Sequence, residues 1–156
     1  GTTKFTFSED LIARLARVPN IVAVKMPLPP NGDFTGELAR LRARLPEDFT
    51  IGYSGDWGAA DALLAGCDAW FSVIAGLLPA PALALMRAAQ ARDEAEVRRI
   101  DAKFRQLWAL FQEFGSFRVM YAVADSLGLY SLAPPRPILP LADEARGRVE
   151  AALQAL

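Results

Sequence analysis

The sequence predicts an α/β protein in which parallel βα units come first and a helical tail follows. Three observations predict it. Three short apolar runs, at 21–24, 49–53 and 69–73, alternate with stretches of helical periodicity. Continuous apolar runs of this length fit strands buried on both faces, the parallel-sheet kind. After Val73 no strand signal remains, and helical patterns fill the rest of the chain. With 53% hydrophobic and 22% charged residues among 156, there is ample material for a core.

Taken in order, Ser8 can cap a helix over 9–18, with Glu9 and Asp10 in its first turn at the positive end of the dipole. Leu11, Ile12, Leu15 and Ala16 recur at helical spacing as its buried stripe. Pro19-Asn20 breaks the pattern, and Ile21-Val22-Ala23-Val24 follows as the first strand. A loop rich in Pro and Gly over 27–33 leads to a helix over 34–45, with Leu38, Leu41 and Leu45 inward and Arg40, Arg42 and Arg44 solvated. The second strand is 49–53. Ser54-Gly55-Asp56 then forms a tight turn into a short helix, 57–65, closed by Gly66 as a C′ glycine. The third strand is 69–73.

The tail reads as helices over 79–92, 93–114 and 117–127, with Gly115-Ser116 as a break and Gly128 as a stop. Residues 131–140, dense in proline, form an extended connector, and 143–156 form a closing helix. The spacing of Phe104, Trp108, Phe111, Phe114 and Phe117 suits core packing, with an oligomer interface as a second use. Tyr121, beside Phe117, is expected in the core.

Three parallel strands cannot close a barrel, which needs eight. As an open sheet they would leave their edges bare, which folded proteins avoid. The chain is therefore expected to be part of something larger.

Composition excludes several functions. A net charge of −1 offers no basic field for nucleic acid. No apolar run approaches the roughly 20 residues of a membrane span. The single cysteine, Cys67, rules out an internal disulfide and reads as a small packed residue. With no secretory leader in view, it favours a cytoplasmic setting. The absence of histidine removes Ser-His-Asp and Cys-His nucleophile systems and the usual zinc ligands. Asp61, Asp68, Asp93 and Asp101 are too scattered for a metal site. Chemistry here must use Lys, Tyr, Ser, Thr or carboxylates.

Lys25 is the candidate nucleophile. It stands at the C-terminal end of an apolar strand, where barrels of parallel strands carry their reacting groups. Lysine is also the side chain that forms imines with carbonyl substrates. Lysine is scarce, three against fourteen arginines, and neither Lys4 nor Lys103 follows an apolar strand. The plain alternative is a solvated loop lysine.

The segment from Leu15 to Lys25 (LARVPNIVAVK) resembles the helix-strand-lysine signature of the dihydrodipicolinate synthase and N-acetylneuraminate lyase family. Ser54-Gly55-Asp56 is similar to that family's Ser-Gly-Asp turn. The stretch from Gly66 to Pro79, with Ser72 inside it, resembles its eighth strand and following loop. Arg136-Pro137 and Leu139-Pro140-Leu141 resemble its C-terminal helical region. The ordered set spans essentially the whole chain. It implies the C-terminal part, about three βα units, of a (β/α)₈ TIM barrel plus a C-terminal helical extension. Residues 1–78 would be strands six to eight with their helices, and 79–156 the last barrel helix and the extension.

The resemblance further implies a class I lyase, an aldolase or dehydratase, in which Lys25 forms a Schiff base with pyruvate or another 2-oxo acid. No metal or organic cofactor is implied. Gly55 and the backbone of Phe71 would border the substrate, and Ser54, Asp56 and Ser72 would shape the pocket. The expected partners are a 2-oxo acid, an aldehyde, the N-terminal half of the barrel and further copies in a dimer or tetramer, with neither nucleic acid nor membrane. An ordinary capped turn is the structural alternative for Ser54-Gly55-Asp56.

The chain departs from the family in three places. The Tyr-x-x-Pro proton relay and the carboxylate-binding Thr motif would both precede Gly1, and Gly1-Thr2-Thr3 is out of place for the latter. Near Thr2 the dihydrodipicolinate synthases carry an arginine that is absent here. Met26-Pro27-Leu28-Pro29-Pro30 follows Lys25 where the family often has an acidic or amide residue, giving a more apolar pocket. A non-catalytic barrel homologue serving as an assembly or regulatory subunit is the alternative function. An open α/β binding module is a third.

Overall fold

The computed structural model describes residues 5–156 and divides the chain into two compact units, Gly1–Phe71 and Ser72–Leu156. Gly1, Thr2 and Thr3, on which the carboxylate and arginine comparisons fall, lie outside the described residues.

The first unit is a three-stranded parallel sheet with helices between its strands. Helix α1 (Glu9–Leu15) leads into β1 (Ala23–Met26), α2 (Phe34–Arg42) and β2 (Thr50–Ser54). A 3₁₀ turn (Asp56–Gly58), α3 (Ala59–Leu64) and β3 (Ala69–Phe71) complete it. The strand order is β1-β2-β3, with Lys25 opposite Gly52, Gly52 opposite Ala69, and Ser54 opposite Phe71.

Local chemistry explains these elements. Ser8 Oγ accepts the Leu11 amide at 3.2 Å, capping α1. Asp33 does the same for α2 through the Gly36 amide at 2.9 Å. Ile12, Leu38, Leu41, Ile51, Tyr53 and Ala62 meet in the core between helices and sheet. Glu9 and Asp10 pair with Arg40 and Arg44 across the surface, and such exposed pairs add little stability. Arg42, expected in solvent, is instead employed. Its Nη1 donates to the Phe49 carbonyl at 2.9 Å and its other arm pairs with Asp68, whose carboxylate accepts the Ile51 amide at 2.7 Å. One guanidinium thus ties α2 to the starts of β2 and β3.

Two expectations need correction. The first strand does not run over 21–24. Asn20 adopts φ 72° and the Ile21 amide bonds back to Val18, so the turn consumes Ile21. The ladder runs from Ala23 to Met26 because Thr50 to Tyr53 lie opposite, which places Lys25 inside the strand. Nor are all three strands buried on both faces. Ile51, Gly52 and Tyr53 are buried, but Ala23, Lys25 and Phe71 are exposed. Among the described residues, Ala23, Lys25 and Phe71 stay exposed on the face of the sheet opposite α2.

The second unit is helical. A 3₁₀ turn (Ile74–Gly76) precedes α4 (Pro79–Gln90), α5 (Glu94–Phe114), α6 (Ser116–Ser126) and α7 (Asp143–Leu153). The long helix α5 packs against the other three. Val97, Phe104, Leu107, Phe111, Val123 and Val149 are nearly or wholly inaccessible. The Phe104 and Trp108 rings stack at 4.7 Å, and Trp108 Nε1 donates to Asp101 at 2.9 Å. Arg148 binds Glu113 from α7 and sits 5.5 Å from the Phe114 ring. Residues 131–140 form neither helix nor strand.

The aromatic row does not all reach this core. Gly115, with φ 85°, ends α5 and redirects the chain. On α6 the buried stripe is Val119, Met120 and Val123, so Phe117 is 49% exposed and Tyr121 only half-buried. Among the described residues, no helix is long and apolar enough to cross a membrane.

Candidate active site

Alternation along the strands sets the site. Val24 and Met26 turn toward α2 with Ile51 and Tyr53, so Lys25 lies on the opposite face. Its neighbour across the ladder, Gly52, has no side chain, and the Phe71 ring folds over the vacant space. A Cβ built on Gly52 would lie 2.6 Å from Phe71 Cε2 and 2.8 Å from the Ala69 carbonyl oxygen. Lys25 Nζ stands 5.9 Å from the centre of that ring, at the range of a cation–π contact.

The end of β1 is held from β2. Ser54 Oγ donates to the Met26 carbonyl at 3.1 Å, so the hydroxyl braces the residue after the lysine. Gly55 (φ 99°) then turns the chain as only glycine does without strain. Built Cβ atoms on Gly55 and Gly58 would lie 2.9 Å and 2.7 Å from Leu28 carbons. These glycines therefore form a seat into which Leu28, three residues beyond Lys25, is pressed. The rest of the 27–33 loop closes on itself, through Gly32 amide to Pro29 carbonyl at 2.9 Å and Asp33 amide to Asn31 Oδ1 at 3.1 Å. Asp56 is 1% exposed at the start of the 3₁₀ turn.

Lys25, Ser54, Gly55, Asp56 and Phe71 thus belong to the first unit, gathered at the C-terminal ends of its strands. Ser72 opens the second unit, where its Oγ accepts the Ala75 amide at 3.1 Å. Tyr53 points to the other side of the sheet. Its hydroxyl donates to Glu37 at 2.6 Å, and burial together with that carboxylate pushes its ionisation well upward. It neither faces Lys25 nor readily ionises. Burial likewise pushes the Cys67 thiol up to about 11, which leaves it un-ionised and inert near neutrality.

Sequence reasoning overlooked Gly52, and it named Leu28 only as part of the apolar loop after Lys25, without its seat on Gly55 and Gly58. A glycine within an apolar strand was a usable signal, since it marks a place where another group approaches the backbone closely. Leu28 had no such signal.

A cavity of about 660 Å³ runs beside β1, lined by Lys25 together with Met26, Pro27, Leu28, Pro29 and Phe7 among others. The sequence from residue 1 to 156 matches the profile of the dihydrodipicolinate synthetase family. The chain belongs to that family.

Similar proteins agree. A 4-hydroxy-tetrahydrodipicolinate synthase of Laribacter hongkongensis is 35% identical over 160 residues, covering 99% of this chain and 52% of that protein. One from Nitrosospira multiformis is 37% identical over 148 residues, covering 92% of this chain and 46% of its own. The crystal structure of a dihydrodipicolinate synthase from Agrobacterium tumefaciens superposes with a TM-score of 0.97 at 64% identity, covering 99% of this chain and 52% of that one. The chain therefore spans about half the length of the relatives it matches. Its fold is the C-terminal part of the family's TIM barrel, about three βα units, followed by the helical extension. A barrel has an interior lined by alternate strand residues, and that accounts for the uncovered sheet face carrying Lys25.

Proposed function

We propose that this chain carries the nucleophile of a class I lyase, with Lys25 forming a Schiff base to pyruvate or another 2-oxo acid. The observation that supports it most is the place of the amine. Lys25 is the one lysine in the sheet among the described residues, and it stands beside a glycine floor and an aromatic wall at the C-terminal ends of parallel strands. Family membership supports the same chemistry.

In this reading the neutral amine attacks the ketone and water leaves, giving an imine that withdraws electrons from C3. Loss of a C3 proton gives an enamine, ready to add to an aldehyde. In reverse, the same imine accepts the electron pair released when a C–C bond breaks. Ser54 and Gly55 hold the strand end and the turn beside the amine, while Phe71 and Asp56 of the same unit border the substrate. The five remaining βα units of the barrel enclose the site and supply the proton relay, since Tyr53 faces away. The assembled protein works as a homo-oligomer in the cytoplasm.

The test uses the protein with its complete barrel in deuterated water. Pyruvate should exchange its C3 protons for deuterium, and Lys25→Arg should abolish that exchange while the fold is retained. Undiminished exchange in the variant would remove Lys25 from the chemistry. No exchange in either protein would favour a non-catalytic barrel.

A further inference from the structure

The ring of Phe71 meets the nitrogen on which imine formation places a positive charge. Resting on the Schiff-base reading above, we infer that Phe71 takes part in that step: its ring, seated on Gly52, stabilises the cationic imine nitrogen formed from Lys25.

The strand register brings the two side chains together. Lys25 lies opposite Gly52, and Phe71 lies opposite Ser54. Alternation puts Lys25, Gly52, Ser54 and Phe71 on one face of the sheet. Phe71 is therefore the diagonal neighbour of Gly52, a spacing that an aromatic side chain can span. The ring does span it, because Phe71 Cε2 lies 2.6 Å from where a Cβ on Gly52 would stand. Any side chain at 52 would take that space. Glycine leaves it open, and the ring leans across β2 toward β1. Its centre comes to 5.9 Å from Lys25 Nζ. Among the described residues, no carboxylate pairs with that nitrogen.

The chemistry gives this contact a use. Amine, ketone and one proton yield a cationic imine and water. The C–N bond forms and the ketone C–O bond breaks. The oxygen leaves as water, carrying one amine hydrogen and the added proton, and the positive charge stays on the imine. A neutral amine gains little from an aromatic face, whereas a cation is drawn to the ring quadrupole. The ring therefore favours the imine over the separate reactants. A phenyl group has no basic atom, so it steadies the charge without removing the imine proton. Phe71 is 38% exposed on the face that a barrel turns inward. The attraction strengthens as water is excluded there.

The experiment uses the protein with its complete barrel and places mono-, di- and trifluorophenylalanine at position 71. Fluorine keeps the ring's shape while weakening the negative charge of its face. The readout is the pyruvate concentration that gives half-maximal borohydride trapping on Lys25. It should rise stepwise with fluorination, by about three- to tenfold over the series, in line with the strength of such contacts. Phe71→Leu should raise it at least as far, and Phe71→Tyr, which keeps an electron-rich ring, should stay near the parent value. Circular dichroism checks that each variant is folded. A half-maximal concentration indifferent to fluorination, even if Phe71→Leu raises it, would make the ring a steric wall only. That result would overturn the inference and leave the Schiff-base reading intact. No trapped lysine in the parent protein would overturn both.

Discussion

A methyl group at Gly52 would meet the Phe71 ring and the Ala69 backbone at once. Gly52→Ala should therefore destabilise the first unit by about 1–3 kcal/mol, the usual cost of overpacking. It should also move Phe71 away from Lys25, lowering imine formation. Urea denaturation checks the first effect; an unchanged midpoint would mean that the ring moves freely. Tyr53 presents the opposite case. Tyr53→Phe removes a half-buried hydrogen bond to Glu37 and should cost about 1 kcal/mol, yet leave Lys25 chemistry unaltered because the ring faces α2. A large fall in activity without loss of fold would contradict the placement. Cys67 gives the chain an alkaline limit. Its folded ionisation lies above the ordinary 9.0, at about 11. The un-ionised thiol is thus favoured by folding, so this contribution is full below pH 9 and is lost as pH rises toward about 11. Denaturation midpoints followed across that window should fall, and Cys67→Ala should flatten the fall.

Among elements, the helix caps and the partner strand decided what side-chain periodicity could not. The start of α1 was legible because Ser8 is a capping residue in the right place, and that of α2 because the loop rich in Pro and Gly ends at Asp33, which the structure shows as its cap. Ser8→Ala should lower stability by about 0.5–2 kcal/mol, read from the same denaturation curves. The extent of β1 was not legible. An apolar run marks where a strand can lie, but the ladder begins where the opposing strand begins, and Asn20 and Ile21 belong to the turn. The same limit explains Phe117. Its spacing from Phe114 continued the aromatic row, while the break at Gly115 changed the helix axis and turned it outward. Where one helix ran uninterrupted the reading held, and Phe104 lies wholly in the core. Phe104→Ala should accordingly cost about 3–5 kcal/mol.

For the molecule as a whole, family and barrel class were legible because they rest on the order of motifs along the chain rather than on any one of them. Lys25 stood out through its strand and its rarity. The aromatic wall and the leucine seat did not, since both bring together residues distant in sequence: Gly52 beneath Phe71, and Gly55 with Gly58 beneath Leu28. The chain covers about half of its relatives' length, and its sheet bares the face that a barrel turns inward. The central claim is therefore tested with the barrel complete. The measurement is borohydride reduction in the presence of pyruvate, with the adduct located by peptide mass spectrometry. The account predicts one reduced pyruvate on the peptide containing Lys25 and none on those containing Lys4 or Lys103. An adduct elsewhere, or none on a folded barrel, would contradict it.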